Sequence, residues 1–370
     1  MSITKIVITG GPCSGKTTGM SYLVEKLRDL GFAVFIVPEI ATELILGGFN
    51  PKTATRKEII KFEKLIIKSQ LYHEDIISEF AKDASEKSDK VVILFDRGVM
   101  DVRAYVDSDE FQAILDNMQK TIVGLRDRRY DAVLHMVTAA EGAADFYTLD
   151  NNPARLETNP KDAIEACKKT KNAWVGHPHL RIIDNSTNFE EKIRRVLSEA
   201  CQVLGVPSPI EKERKFLVSG FKLPANLAVQ KIDIEQVYLN PARSGVEERV
   251  RRRGQNGNFV YYRTCKLTTA ESDTRLETEN QISGYEYLHA LRHDADARCQ
   301  KIVKKRYCFL WQNTYYELDV IVSPKKHKGL TLLEIESTDR NNNLLIPKFV
   351  KVQREVTGDP DYSNFGLSLK

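Results

Sequence analysis

A chain of 370 residues is long enough for two or three domains, each with its own core. Hydrophobic residues make up 42% and charged residues 29%, which excludes collagen-like, low-complexity and wholly disordered classes. The net charge of +4 is unevenly spread: 28 basic and 30 acidic residues precede Ile210 and the remaining 27 and 21 follow, a balance of −2 against +6, so the second half suits contact with polyanions or an anionic surface.

In chain order, the first half alternates strand and helix patterns. Lys5–Thr9 is a β-branched run, followed by a glycine-rich turn and an amphipathic stretch from Thr17 to Leu30. Ala33–Val37 is a second strand. Arg56 to about Lys87 has helical period, with Ile59, Ile60, Phe62, Leu65, Ile66 and Ile67 apolar. Val91–Phe95, Ala132–Val137 and Leu180–Ile183 are further strands, and Phe189 to Leu204 closes the set as a helix. Continuously apolar strands alternating with helices predict an α/β domain, a parallel sheet with helices on both faces. Gly205-Val206-Pro207-Ser208-Pro209 reads as a joint, giving domains at 1–205 and 211–370 with a linker at 206–210.

Beyond the joint, period two takes over. Glu211–Val218, Ile232–Leu239, Glu247–Arg253, Phe259–Leu267, Arg275–Gln281, Ile302–Leu310, Thr314–Val322 and Leu330–Glu336 predict an α+β domain built on an antiparallel eight-stranded barrel. Lys325-Lys326-His327-Lys328 and Asn341-Asn342-Asn343 read as hairpin loops. No apolar run reaches about 18 residues, so no spanning helix is expected. Met1–Gly10 reads as a strand rather than a signal peptide. Six scattered cysteines without a CxxC pair fit a reducing, cytoplasmic compartment, with peripheral contact to a membrane as an alternative.

Gly10-Gly11-Pro12-Cys13-Ser14-Gly15-Lys16-Thr17 fits GxxxxGK[ST], between a strand and a helix. Glycines let successive N–H groups turn toward phosphate oxygens, and the helix N-terminus adds positive potential. The nucleotide-binding set runs from Gly10 to Thr18, with Lys16 reaching the β- and γ-phosphates of ATP or GTP and Thr17 ligating Mg²⁺. Asp96, closing the third strand, could hold a Mg²⁺-bound water or accept a proton from an attacking hydroxyl. Glu39 sits equivalently after the second strand, either touching an acceptor or starting a helix.

The strings GGPCSGKTT, VPEIATEL, ILFDRGVMD and GHPHLRIIDNS resemble the AAA_28 group of P-loop ATPases, close to nucleoside and nucleotide kinases, over the first ~205 residues. The resemblance implies that Asp96 lies by the metal and acceptor, that Arg155 is the lid arginine covering the phosphates, and that Asp184 and Asn185 lie near the base. The group often reads PExAR, whereas here Ala41 is followed by Thr42, so no particular acceptor carries over.

In the second half, alternation places charges on one strand face: Glu211, Glu213 and Lys215; Arg249, Arg251 and Arg253; Arg275, Glu277 and Glu279; Lys304 and Arg306; Glu317 and Asp319; Glu334 and Glu336. Their neighbours are often apolar and need a core, so the charged face looks elsewhere, into a lumen. Such a hollow needs metal ions and an anionic ligand to neutralise it. Carboxylates suit Mg²⁺ or Mn²⁺, and Arg and Lys suit phosphate oxygens. With Lys266 and the terminal Glu355-Val356-Thr357-Gly358-Asp359, these residues resemble the CYTH, or triphosphate tunnel metalloenzyme, superfamily. The resemblance implies that Glu211, Glu213, Glu277, Glu279, Glu317, Asp319, Glu334 and Glu336 hold metal. It likewise implies that Lys215, Arg249, Arg251, Lys266, Arg275, Lys304 and Arg306 bind triphosphate.

Two functions follow. One is catalytic: nucleoside-triphosphate hydrolysis or phosphoryl transfer at the P-loop, and triphosphate binding with hydrolysis in the tunnel. The other is a regulatory adaptor with little turnover, because the P-loop–CYTH layout is similar to that of the animal TRPL translocation defect family, which is associated with GTP and phosphoinositide headgroups. Nucleic acid is not expected as a partner: Tyr261, Tyr262 and Arg263 read better as strand-core residues.

Overall fold

The computed structural model describes residues 3–144, 147, 159–206, 213–240, 246–268, 275–336 and 345–370, with the side chains of 267, 268, 275–278 and 336 left out. It divides into two compact units, Met1–Leu204 and Gly205–Lys370.

The first unit runs β1 (Thr4–Gly10), α1 (Lys16–Asp29), β2 (Ala33–Val37), α2 (Ile40–Leu46), α3 (Arg56–Ser85), β3 (Val91–Asp96), α4 (Ser108–Asn117), α5 (Ile122–Arg126), β4 (Ala132–Met136), α6 (Pro160–Ala173), β5 (Leu180–Ile183) and α7 (Phe189–Val203). A single 3-10 segment, Val99–Ala104, follows β3. The five strands are all parallel in the order β2-β3-β1-β4-β5. Ile6, Val7, Ile8, Val92 to Phe95 and Val133 are fully buried, as continuously apolar strands require when helices cover both faces. This order brings the carboxyl ends of β1, β3 and β4 together, where ligands bind in open α/β sheets. α3 starts at a Thr55–Glu58 capping box, which fixes its first turn.

The second unit is one nine-stranded antiparallel sheet. Its strands are β6 (Glu213–Phe221), β7 (Val229–Tyr238), β8 (Val246–Gln255), β9 (Asn258–Thr268), β10 (Arg275–Ile282), β11 (Ile302–Trp311), β12 (Thr314–Ser323), β13 (Thr331–Glu336) and β14 (Val350–Glu355). Their order is β10-β9-β8-β7-β11-β12-β13-β6-β14. Two helices join them, α8 (Gly284–His293) after β10 and α9 (Asn364–Ser368) at the end. The eight expected strands are all present. The ninth, β14, corrects the count: Val350–Glu355 alternates only weakly, and its pairing with β6 is broken by register shifts at Lys351–Val352 and Val352–Arg354.

One sheet face is apolar, with Phe216, Val218, Phe309, Tyr316, Leu318, Leu333, Ile335 and Val350 in one cluster. α8 packs Tyr287 and Ala290 on Leu239 and Val250. At one end of the opposite face, Tyr238, Ile321 and Leu332 pack on Leu367, with Phe365 against them, so α9 seals that end.

Candidate functional site

The P-loop is built by close approach. A β-carbon on Gly11 would stand 2.5 Å from Cys167 Cβ, so only glycine lets α6 pass. Gly15 caps α1 in the left-handed region at φ 86°, and Cys13 also has positive φ, 52°. The turn is braced from outside: Thr138 Oγ1 donates to Pro12 O at 2.5 Å and Ala139 N to Cys13 O at 3.1 Å. From α7, the buried Lys192 ammonium donates to Ser14 O at 3.1 Å, Val137 O at 2.7 Å and Asn185 Oδ1 at 2.7 Å. Burial, aided by Arg195, lowers the Lys192 ammonium to about 8. Sequence reasoning missed this lysine, because nothing in α7's amphipathic pattern distinguishes it.

Lys16 Nζ lies 3.3 Å from Asp96 Oδ1, so the motif lysine and the strand-end carboxylate do meet. Thr17 and Thr18 are exposed on the first turn of α1. Ser14 Oγ is buried without a hydrogen-bond partner, an open polar atom inside the loop that suits a phosphate oxygen. Arg97 Nε donates to Glu39 Oε1 at 2.5 Å, and Thr42 Oγ1 to Glu39 Oε2 at 3.0 Å. Burial alone would raise the Glu39 carboxyl, but Arg97 and Lys16 outweigh it and hold it at about 2. Asp101 is fully engaged by Thr9, Trp174 and the Gly98 N–H, a brace under the site.

Asp184 pairs with Arg195 at 3.0 Å and accepts from Ser186 Oγ at 2.6 Å. The Asn185 amide donates to Thr138 O and Glu141 O, both at 2.7 Å, while its oxygen takes Lys192. Asn185 therefore ties the loop after β4 to the P-loop. Arg155 lies outside the described residues.

In the second unit the register sets the chemistry. Arg306 is opposite Asp319, Glu317 opposite Glu334, Glu334 opposite Lys215, and Glu336 opposite Glu213. Across the sheet Arg251 is opposite Tyr262, Arg249 opposite Thr264, and Thr264 opposite Glu279. All these positions share one face, whose centre is buried: Lys304 is 2% exposed, Asp319 1% and Arg253 2%, while Lys215 and Arg251 are half-buried and Glu213 is exposed at its edge. On it the described side chains include seven bases (Lys215, Arg249, Arg251, Arg253, Lys266, Lys304, Arg306) and six acids (Glu213, Glu247, Glu279, Glu317, Asp319, Glu334). Glu211 lies outside the described residues, as do the side chains of Arg275, Glu277 and Glu336.

Arg306 is the hub. Its Nε and Nη2 each reach an Asp319 oxygen at 2.7 Å, its Nη2 reaches Glu334 Oε2 at 2.5 Å, and its Nη1 pairs with Glu317. Glu334 stands two strands from Arg306, beyond a flat pleat's immediate neighbour, so the sheet curls around this group. Lys304 Nζ takes Asp319 Oδ2 at 2.5 Å, Lys215 Nζ takes Glu334 Oε1 at 3.0 Å, and Arg251 takes Glu279 at 2.7 Å. Burial raises the Glu334 carboxyl, but Lys215, Lys304 and Arg306 hold it well below the usual range. Asp319 is likewise held down against burial, chiefly by Arg306. Among the described residues no three His, Cys, Asp or Glu side chains form a metal cage. Glu317 Oε1, however, is buried without a partner, and with Glu334 and Asp319 beside it the all-carboxylate donor set fits a hard divalent cation.

Fold and site together define a P-loop nucleotide-type α/β domain joined to an antiparallel charged-tunnel domain. Residues 5–192 match AAA_28, an AAA domain, and residues 209–357 match the CYTH domain. The chain belongs to the AAA_28 family and carries a CYTH domain after it. Among solved structures, the hypothetical protein NE1496 is 27% identical, covering 44% of this chain and 99% of its own, with a TM-score of 0.33. The inorganic triphosphatase NE1496 is 27% identical over 44% and 95%, with a TM-score of 0.32. PH1819 from Pyrococcus Horikoshii OT3 is 21% identical over 38% and 80%, with a TM-score of 0.26. No curated protein matches the chain. No described helix is long and apolar enough to cross a membrane.

Proposed function

We propose that the first unit binds ATP or GTP with Mg²⁺ or Mn²⁺ and hydrolyses it or passes on its terminal phosphoryl group, and that the second binds and hydrolyses a triphosphate or polyphosphate. The observation that carries this reading is the single sheet face, buried at its centre, on which seven bases and six acids converge. An excess of buried base is stabilised by a polyanion. In the tunnel Lys215, Arg249, Arg251, Lys304 and Arg306 grip phosphate oxygens, and the Glu213, Glu317 and Glu334 carboxylates would hold a cation. At the P-loop, Lys16 turns from Asp96 to the phosphates, while Thr17 and Asp96 would hold the ion. A divalent ion, when bound, shields phosphoryl charge and makes a nearby water more acidic.

The test is phosphate release from tripolyphosphate and from nucleotides with Mg²⁺ or Mn²⁺. Glu213→Ala should abolish the tunnel activity and Lys16→Ala the P-loop activity. No turnover across a broad panel would sink the catalytic reading. One observation favours the second reading, a GTP- and phosphoinositide-binding adaptor: the acids Asp319 and Glu334 are already matched by Lys304, Arg306 and Lys215. Tight GTP binding without turnover, together with headgroup retention that falls steeply with salt, would select it.

A further inference from the structure

One face of α3 is buried through Phe62, Glu63, Ile67, Gln70 and Glu74. The opposite face leaves four large apolar side chains open: Leu65 is 44% exposed, Tyr72 66%, Ile76 38% and Phe80 58%. At about 3.6 residues per turn and 1.5 Å per residue, these four fall within an arc of about 80° and run about 22 Å along the helix. Single exposed apolar residues are ordinary, but a row along one helix face is the pattern of a surface that packs on another helix.

The charges flanking that row are sorted along the helix. Lys57, Lys61 and Lys68 are exposed before Tyr72, and Asp75, Glu79 and Asp83 are exposed after it. The exceptions are committed locally: Glu58 to the Thr55 capping box, and Lys82 to Glu79 at 2.7 Å. Asp75 takes Arg129 at 2.8 Å. Lys57, Lys61, Lys68 and Asp83 make no ion pair with any described residue. A parallel partner of the same sequence would set lysines on lysines and acids on acids. An antiparallel one sets the basic half on the acidic half. It also brings like flanks together, apolar on apolar and charged on charged, which makes the face self-complementary.

We propose that this outer face of α3 binds a second copy of the chain, antiparallel, about a two-fold axis near Tyr72. Lys61 and Asp83 each stand eleven residues from Tyr72, so the axis puts Lys61 of one copy against Asp83 of the other. Lys68 then meets the turn at Asp75 and Ile76, Leu65 lies beside Phe80, and Tyr72 stacks on its own counterpart. A helix of 30 residues is about 45 Å long and about 10 Å wide, so the contact covers about 450 Å² of each copy. That is below the roughly 800 Å² per partner of standard interfaces, so the dimer is reversible, with a Kd of about 1–100 μM. The contact does not depend on what either unit binds.

Sedimentation velocity of the full chain from about 1 to 300 μM tests this. The mass should climb from one chain toward two. Raising salt from about 0.1 M to 1 M should weaken the association without ending it, because the apolar row remains. Two charge variants identify the face and its direction. Lys61→Glu with Lys68→Glu makes the charged flank acidic throughout, and Glu79→Lys with Asp83→Lys makes it basic. Each alone should self-associate at least about tenfold more weakly, and an equimolar mixture should recover the wild-type affinity. Tyr72→Ser should weaken self-association by about tenfold or more. All five positions are exposed, so the monomers should keep the wild-type circular dichroism. A wild-type chain that stays monomeric throughout overturns the proposal, whether the face then serves a different protein or the chain's own second unit. Dimers untouched by either charge variant place the contact elsewhere and overturn it as well. A mixture of the two variants that stays monomeric overturns the antiparallel arrangement.

Discussion

Arg306→Met is the sharpest perturbation of the tunnel. The guanidinium carries five donors, and here it is shared among Asp319, Glu334 and Glu317. Removing it leaves three carboxylates that are 1%, 7% and 8% exposed, with only Lys304 and Lys215 against them. Breaking a buried pair from one side costs about 3–5 kcal/mol. For a unit of this size each kcal/mol moves the midpoint by about 2–4 °C, so the second unit's transition should fall by roughly 6–20 °C. The three acids then form an oxygen-only site without its internal cation, and a divalent ion should restore part of the loss, about 2.7 kcal/mol at a hundred times its Kd. Differential scanning calorimetry of wild type and variant, with and without Mg²⁺ or Mn²⁺, measures both effects. If the variant melts at or above the wild-type temperature, or metal stabilises the two chains equally, the convergence of these acids on a cation position is wrong.

Lys192→Met removes three hydrogen bonds and leaves Ser14 O and Val137 O short of a donor; we expect a loss of about 2–4 kcal/mol and weaker nucleotide binding by calorimetry, and unchanged values would remove the lysine as a brace. Gly11→Ala forces a β-carbon against Cys167 and should abolish nucleotide binding, with partial recovery in the Gly11→Ala, Cys167→Gly double variant; a fully binding single variant would contradict the packing. Glu63 keeps its proton in the folded chain up to about 8 but loses it near 4.3 when unfolded, so its contribution to the first unit falls as pH rises between these values, by at most about 1.4 kcal/mol per unit. The buried His135, held well below its usual range, opposes this below about pH 6.5, so the net fall lies between about 6.5 and 8. Asp319 and Glu334 are held below their unfolded values, so the second unit keeps their contribution above about pH 4.3 and loses it as pH falls further. Denaturant titrations from pH 4 to 9 resolve the two trends, and Glu63→Gln should flatten the first.

Much of this was legible in the sequence because the signals are local. Apolar runs gave the parallel strands, the spacing from Gly10 to Thr17 gave the loop, and alternation alone placed Lys304 with Arg306 and Glu317 with Asp319 on one face. What stayed hidden depends on distant partners. Lys192 and Glu63 sit in amphipathic helices where a charged residue reads as solvent-facing, and only their burial against Ser14 and beside Arg97 gives them meaning. α8 escaped notice because Gly284–His293 lies between strand patterns and buries only Tyr287 and Ala290. The resemblance led to an expectation that Asp184 and Asn185 lie near the base, but not that they are tied to Arg195 and Lys192.

Lys304, buried in the charged face, also contacts Asn364 Oδ1 at 3.3 Å, on the helix of the apolar plug that carries Phe365 and Leu367. The passage is thus stopped at that end like a bottle with its base in place. Under the proposed polyphosphate reading, a long anionic chain would insert only a terminus, its remainder trailing back out through the mouth by which it came.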